Sequence, residues 1–260
     1  MALNLIKGIT PKEIAGFKVY SLVETGSTNT DALALAEAGA PGNIALTAQK
    51  QTKGRGRMDR QWEGTPGQSL ALSLLIRPSD EEQANLFRFT ALAGLALLDV
   101  FESKYGLKGQ LKWPNDVLLN GAKVCGILTE TLWSSDFAEA VVVGIGVNVG
   151  LGSHPPSESL RFRASSLEAQ LGYPVSVDEV LTSLLTRLSE IRPEMGSKDF
   201  ILKWNEKLAY VGEKVQIANE KGEIEWFRLI GVQDNAALLV EDEQGTLRQL
   251  YSSEIRPATL

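Results

Sequence analysis

The 260-residue sequence contains one cysteine, Cys125, and one histidine, His154. A single thiol cannot close an internal disulfide, and one thiol with one imidazole cannot build a Cys/His zinc cluster. Cys125 sits in an apolar run and is expected to be a small buried strand residue. His154 stands beside two prolines and is expected in a loop. No segment reaches the roughly 20 apolar residues that span a bilayer. The N-terminal MALNLIKGIT lacks the long apolar run and cleavage pattern of a secretory signal. A cytoplasmic location is the expectation. Two nucleotide-binding signatures are also missing, G-x-x-x-x-G-K-[ST] and G-x-G-x-x-G. Nor is there a surplus of positive charge: 26 Lys and Arg against 32 Asp and Glu leave a net charge of −6. Nonspecific nucleic-acid affinity needs many phosphates neutralised, so a general polyanion binder is disfavoured.

What remains is an ordinary globular composition, 43% hydrophobic and 22% charged, long enough for a full core. FKVYSLVETGS (17–27) alternates as a strand does. STNTDALALAEAG (27–39) has cap candidates at Ser27 to Asn29, helical apolar spacing and a stop at Gly39. NIALTAQ and SLALSLLIRP read as strands. EEQANLFRFTALAGLALLDVFESKYG (81–106) reads as one long helix that begins acidic and ends at glycine. In DVLLNGAKVCGILTETLW, the Asn120–Gly121 pair between apolar runs predicts a two-residue hairpin, with Lys123 opening the returning strand. AEAVVVGIGVNVG is a further buried strand, with small residues where another group can approach closely. VDEVLTSLLTRLSEI and KDFILKWNEKLAY are amphipathic helices. From Gly212 the texture changes to short strands between turn residues, as in a small β-barrel. The expected fold is α+β, a mixed and largely antiparallel sheet with flanking helices in residues 1–210, followed by a small β-barrel in residues 211–260.

Four stretches carry chemistry. KGRGRMDR places Lys53, Arg55, Arg57 and Arg60 within eight residues. Arginine forks match carboxylate and phosphate oxygens, and Gly54 and Gly56 give the backbone freedom to approach an anion. Unpaired charges of one sign repel, so this loop is expected to be mobile until an anion orders it. The alternative is a solvated basic loop. KWPNDVLLNGAK brings Lys112, Asn115, Asp116 and Lys123 near one another if the hairpin forms, and Asp116 is a candidate Mg²⁺ ligand. Here the alternatives are a plain Asn–Asp turn and surface lysines. Asn148, at the end of VGIGVN, could read a base or ribose edge, or simply make a turn. Ser27, Thr28 and Asn29 at a helix start could hold a neutral polar head group, or serve only as caps.

Taken in order, ETGSTNTDA, QTKGRGRMDRQW, SLALSLLIRP, LKWPNDVLLNGAKVCGILTE and VVVGIGVNV resemble the catalytic core of biotin protein ligases, over about Tyr20 to Leu167. The tail from Gly212 is similar to that family's C-terminal domain, a Src-homology-type β-barrel. The pairing of GRGR with KWPND and the downstream lysine is highly specific. The resemblance implies that biotin and ATP form biotinyl-5′-adenylate with Mg²⁺. The biotin then passes to one lysine of a biotin carboxyl carrier domain. By the same resemblance Ser27, Thr28, Asn29, Gln51, Arg55, Gly56, Arg57 and Lys123 bind biotin. Gly54, Arg55, Arg57, Lys112, Asn115 and Asn148 bind the adenylate or ATP. Arg57 and Lys123 are the catalytic cations, and Asp116 serves Mg²⁺ or accepts the acceptor lysine's proton. Trp62 is expected to contribute apolar wall and Trp113 to pack in the core.

The sequence departs from the family at Asp59, where many relatives have glycine. An internal contact of Asp59 with Arg57 or Arg60 is the expected consequence. Some relatives carry an N-terminal helix-turn-helix. Only about sixteen residues precede the first strand here, so the resemblance implies a monofunctional ligase without nucleic-acid binding. A homodimer through sheet edges occurs in relatives. The competing readings are a lipoate or octanoate ligase of the same superfold and a noncatalytic biotin or adenylate sensor.

Overall fold

The computed structural model describes residues 2–154, 162–218, 224–251 and 253–257. Two sheets organise it. The first has eight strands: β1 (Lys12–Ile14), β2 (Phe17–Thr25), β3 (Ile44–Gln51), β4 (Ser69–Ile76), β5 (Gly109–Lys112), β6 (Asp116–Leu119), β7 (Ala122–Ser134) and β8 (Phe137–Asn148). Their order is β1-β2-β3-β4-β8-β7-β6-β5, and only β2 and β3 pair in parallel. The helix between those two strands, α1 (Thr28–Glu37), supplies the crossover that a parallel pair requires. The other pairs are antiparallel, as the mixed α+β reading expects.

The turn between β6 and β7 forms at Asn120 and Gly121, both with positive φ (47° and 72°). Asparagine and glycine tolerate that region, and the primed turn they make matches the twist of the strands. Lys123 therefore opens the returning strand, opposite Leu118. β7 and β8 then run together for ten paired positions and place Gly126 opposite Gly146 and Leu128 opposite Gly144.

The expected long helix is two helices, α2 (Asp80–Gln83) and α3 (Arg88–Tyr105). Three side chains account for the break. Glu82 reaches back to the Ser79 N–H in a capping box and is also held by Arg192. Asn85 Nδ2 takes the carbonyl of Glu81, diverting the backbone from a continuous ladder. The buried Arg88 donates to the carbonyls of Met195 and Asp234, which fixes where the second helix starts. α3 ends at Gly106, in the left-handed conformation glycine adopts freely.

Three helices follow: α4 (Leu167–Leu171), α5 (Val177–Ile191) and α6 (Lys198–Lys207). Each is capped by a serine hydroxyl, from Ser166, Ser176 and Ser197. α5 buries Val180, Leu181, Leu184, Leu185, Leu188 and Ile191, a stripe at helical spacing that packs on α3.

The second sheet contains β9 (Lys214–Ala218), β10 (Ile224–Val232), β11 (Leu238–Glu241), β12 (Leu247–Leu250) and β13 (Ile255–Pro257). Its order is β12-β11-β10-β9-β13, antiparallel throughout. Its inward residues, among them Val215, Phe227, Leu229 and Ile255, join the same apolar core as the first sheet. Trp113 lies in that core, and its indole N–H donates to Ala236 O at 3.3 Å, tying the two sheets together. Cys125 is fully buried in β7, and burial pushes its thiol pKa well up, so it has no nucleophilic character. Among the described residues no helix is long and apolar enough to cross a membrane.

Candidate active site

One face of the large sheet floors a cleft with about 910 Å³ of atom-free space, counting its open mouth. Its two ends differ in chemistry.

The neutral end is built by the start of α1. Ser27 occupies the N-cap position but makes no side-chain cap bond, so its hydroxyl is not consumed by the helix. Gln51 Oε1, at the end of β3, accepts from the Thr28 backbone N–H (2.9 Å) and Thr28 Oγ1 (3.1 Å). Ser73 Oγ on β4 lies 2.7 Å from Thr28 Oγ1 and 2.5 Å from Asn29 Oδ1. Asn29 rests over Gly144, where any Cβ would overlap its amide. Ser27, Thr28, Asn29 and Ser73 are buried, Gln51 is half-buried, and all are uncharged, which suits a head group recognised by hydrogen bonds.

The cationic end is built by the β5–β6–β7 hairpins. Asp116 stands between two ammonium groups, 2.6 Å from Lys123 Nζ and 3.3 Å from Lys112 Nζ. Lys112 is 5% exposed and lies under Phe162, with its Nζ 5.2 Å from the ring centre. Burial pushes the Asp116 pKa up, but the charges of Lys123 and Lys112 outweigh it and hold the carboxyl below the usual range. Two cations against one anion leave net positive charge here. The Trp62 ring roofs the centre. Its indole lies against Gly146, where a Cβ would overlap it, and Lys123 Nζ is 5.8 Å from its ring centre.

The arginines of the loop diverge. Arg55 makes a two-pronged pair with Glu130, at 2.8 and 3.1 Å, beside Asn29. Arg57 donates to Asn115 Oδ1 at 3.2 Å, beside Asp116. Asn115 is itself aligned by a 2.8 Å bond from its Nδ2 to Ile127 O. Arg60 pairs with Glu254, the residue just before β13 of the second sheet, at 2.6 and 3.2 Å.

Several expectations are corrected by this geometry. The loop is pinned by paired arginines, rather than held apart by unpaired charge. Neither Gly54 nor Gly56 takes a left-handed φ. Gly54 is required for space, because a Cβ there would overlap the carbonyl of Trp62. The residue that takes the left-handed conformation is Asp59, at φ 58° after Met58 at 55°. Glycine adopts that region without cost, so a glycine at position 59 would fit this backbone more easily than aspartate does. Arg60 is directed to Glu254, not to Asp59.

Ser27, Thr28, Asn29, Gln51, Arg55, Gly56, Arg57, Lys112, Asn115, Asp116 and Lys123 all line the cleft. Gly54 and Asn148 do not. Asn148 is buried behind the wall and donates to Ser165 O at 3.0 Å, holding the chain that pairs with Lys123. Asp116 does not fit a magnesium ligand here, because two ammoniums already occupy its surroundings. Among the described residues no cluster of three metal-binding side chains exists. The same charges make Asp116 a weak proton acceptor. Ser73, Glu130 and Glu254 were not singled out from sequence. Their roles depend on contacts 44 to 194 residues away.

The chain is similar to known proteins in sequence and in fold. Residues 23–148 match the Biotin/lipoate A/B protein ligase family. The chain is 33% identical over 232 residues to the biotin–[acetyl-CoA-carboxylase] ligase of Paracoccus denitrificans, covering 86% of this chain and 94% of that protein. It is 31% identical over 232 residues to the bifunctional ligase/repressor BirA of Bacillus subtilis, covering 88% of this chain and 70% of that one. The structure of biotin protein ligase from Aquifex aeolicus, in complex with biotin and ATP, matches with a TM-score of 0.78 at 31% identity, over 92% of this chain and 99% of that one. The chain therefore belongs to the biotin protein ligases, and it is a ligase enzyme.

Proposed function

We propose that this ligase joins biotin to ATP and then to a protein lysine. In the first step a biotin carboxylate oxygen attacks the α-phosphorus of ATP. The bond to the β,γ-phosphates breaks, releasing pyrophosphate and leaving biotinyl-5′-AMP. In the second step the neutral ε-amine of a lysine on a biotin carboxyl carrier domain attacks the anhydride carbonyl. The amide forms, AMP leaves and the amine gives up a proton.

The observation that supports this most directly is the polarity of the cleft, neutral and hydrogen-bonding at one end and cationic at the other. Thr28, Asn29, Gln51 and Ser73 suit an uncharged ring with N–H and C=O groups. Lys123, Arg57 and Lys112 suit the anionic junction. A carboxylate and a phosphate repel each other, so positive charge fixed at their meeting point lowers the barrier. In this reading Lys123 bridges the two anions, and Arg57, aligned by Asn115, faces the nucleotide. Arg55, held at the other end, belongs to the biotin side. Magnesium enters the proposal only as the partner of the ATP phosphates.

The test is incubation with labelled biotin, ATP and Mg²⁺, with and without a carrier domain. Label on a carrier lysine is the expected result. Adenylate that never moves to the carrier overturns the second step. Adenylate from lipoate or octanoate but not from biotin overturns the choice of substrate.

A further inference from the structure

Glu130, on β7, does not line the cleft, yet it holds two residues that do. Its Oε2 accepts from Asn29 Nδ2 at 2.9 Å and Arg55 Nη1 at 3.1 Å, and its Oε1 accepts from Arg55 Nη2 at 2.8 Å. The second hydrogen of Asn29 Nδ2 goes to Leu128 O at 3.1 Å. Both hydrogens of the amide are thus committed to β7. A flipped amide would set Oδ1 against a carboxylate and a carbonyl, two acceptors facing a third. The orientation of Asn29 is therefore not free. Its Oδ1 is turned to Ser73, on the cleft floor over Gly144.

We infer that Glu130 is a positioning residue for the biotin end. It sets the hydrogen-bond polarity of Asn29, so that an acceptor faces the ring N–H groups of the ligand, and it anchors Arg55 as the adjoining wall. The inference rests on the assignment of the neutral end to biotin. Glu130 couples the two elements that build this end, the start of α1 and the arginine loop, through one carboxylate. A neutral amide at this position is nearly isosteric but offers one acceptor oxygen in place of two. Its N–H₂ group would face the donors of Arg55 or Asn29.

Glu130→Gln tests it, with steady-state KM values for biotin and ATP measured on the full chain, using formation of biotinyl-5′-AMP. Hydrogen bonds to an ionised group are the strong ones, so the biotin KM is expected to rise about tenfold. The ATP KM is expected to stay within about twofold and the thermal midpoint to hold, because the Glu130 side chain is partly exposed. Glu130→Asp, which keeps the charge, is expected to fall between the two. An unchanged biotin KM in Glu130→Gln overturns the inference. So does a joint rise of both KM values with a lowered midpoint, which is the mark of a general structural role. A wild-type chain that makes no adenylate from biotin overturns the reading of the cleft itself, and this assignment with it.

Discussion

Arg60 and Glu254 join the arginine loop to the C-terminal sheet through two bonds, at 2.6 and 3.2 Å. The partners are 194 residues apart in sequence, and Glu254 itself lines the mouth of the cleft. The second sheet is thereby part of what holds the loop over the site.

Replacing Glu254 with Gln should release the loop without unfolding the chain. The Arg60 side chain is 48% exposed, so the pair contributes at most about 1 kcal/mol to global stability. Local opening is another matter, since loop protection depends on few contacts. Trypsin cleavage after Arg55, Arg57 or Arg60 should accelerate about threefold in the variant. The hydrogen bonds from Arg60 hold the Glu254 pKa below the ordinary glutamate range. The latch should therefore persist at neutral pH and be lost only as pH falls through that lowered value. Equal cleavage of wild type and variant at pH 7 would show that the pair does not restrain the loop.

Asp116→Asn should be costly in a different way. It leaves Lys112, whose side chain is 6% exposed, beside Lys123 with no anion between them. Removing one member of a buried pair costs on the order of 3 kcal/mol. The double variant Lys112→Met/Asp116→Asn removes the stranded charge and should recover part of the loss. The sign with pH follows from the lowered folded pKa. In the wild type the contribution is present above about pH 3.9, the ordinary aspartate value, and is lost as pH falls through the lower folded value. Urea unfolding at pH 7 and pH 3 should show a larger gap between wild type and variant at pH 7. A gap independent of pH would argue against a charged Asp116.

The legible parts of this molecule were those with local causes. The Asn120–Gly121 turn is written in two adjacent residues, and together with the tight β5–β6 hairpin it places Lys123 near Lys112 and Asp116. The helix stops at Gly39 and Gly106 are equally local. The break between α2 and α3 was hidden, because it needs Arg192 and the carbonyl of Met195, more than 100 residues away. The loop charges misled for the same reason. Glu130 and Glu254, which pair with them, are distant in sequence and are each one acidic residue among 32. Asn148 looked available at a strand end; the chain around Ser165 folds back and takes its Nδ2, while its Oδ1 has no hydrogen-bond partner among the described residues.

Gly144 and Gly146, two apart on β8, present one face to the cleft, as alternation requires. Alanine at Gly144 would overlap the Asn29 amide, and alanine at Gly146 would overlap the Trp62 indole. Misplacing a positioning group by about an ångström costs about a hundredfold in rate. Gly144→Ala should act on the biotin KM, through Asn29. Gly146→Ala should lower the turnover of adenylate formation, through Trp62 and its contact with Lys123. Isothermal titration with biotin alone separates them, with affinity lost in the first variant and largely kept in the second. The reverse pattern would contradict the division of the cleft into two ends.

Lys123→Met should separate catalysis from stability. The substitution leaves Lys112 and Asp116 as a neutral, one-to-one buried pair, so no charge is stranded. Urea unfolding at pH 7 should differ from wild type by no more than about 1 kcal/mol, in contrast to Asp116→Asn. Adenylate formation should nevertheless fall about a hundredfold to a thousandfold, the usual effect of deleting one group that stabilises developing charge. Single-turnover assays with saturating biotin and ATP provide the measurement. A stable Lys123→Met protein that still forms adenylate at the wild-type rate would remove Lys123 from the bridging position. Charge at the junction would then fall to Arg57 and Lys112, the two cations that remain there.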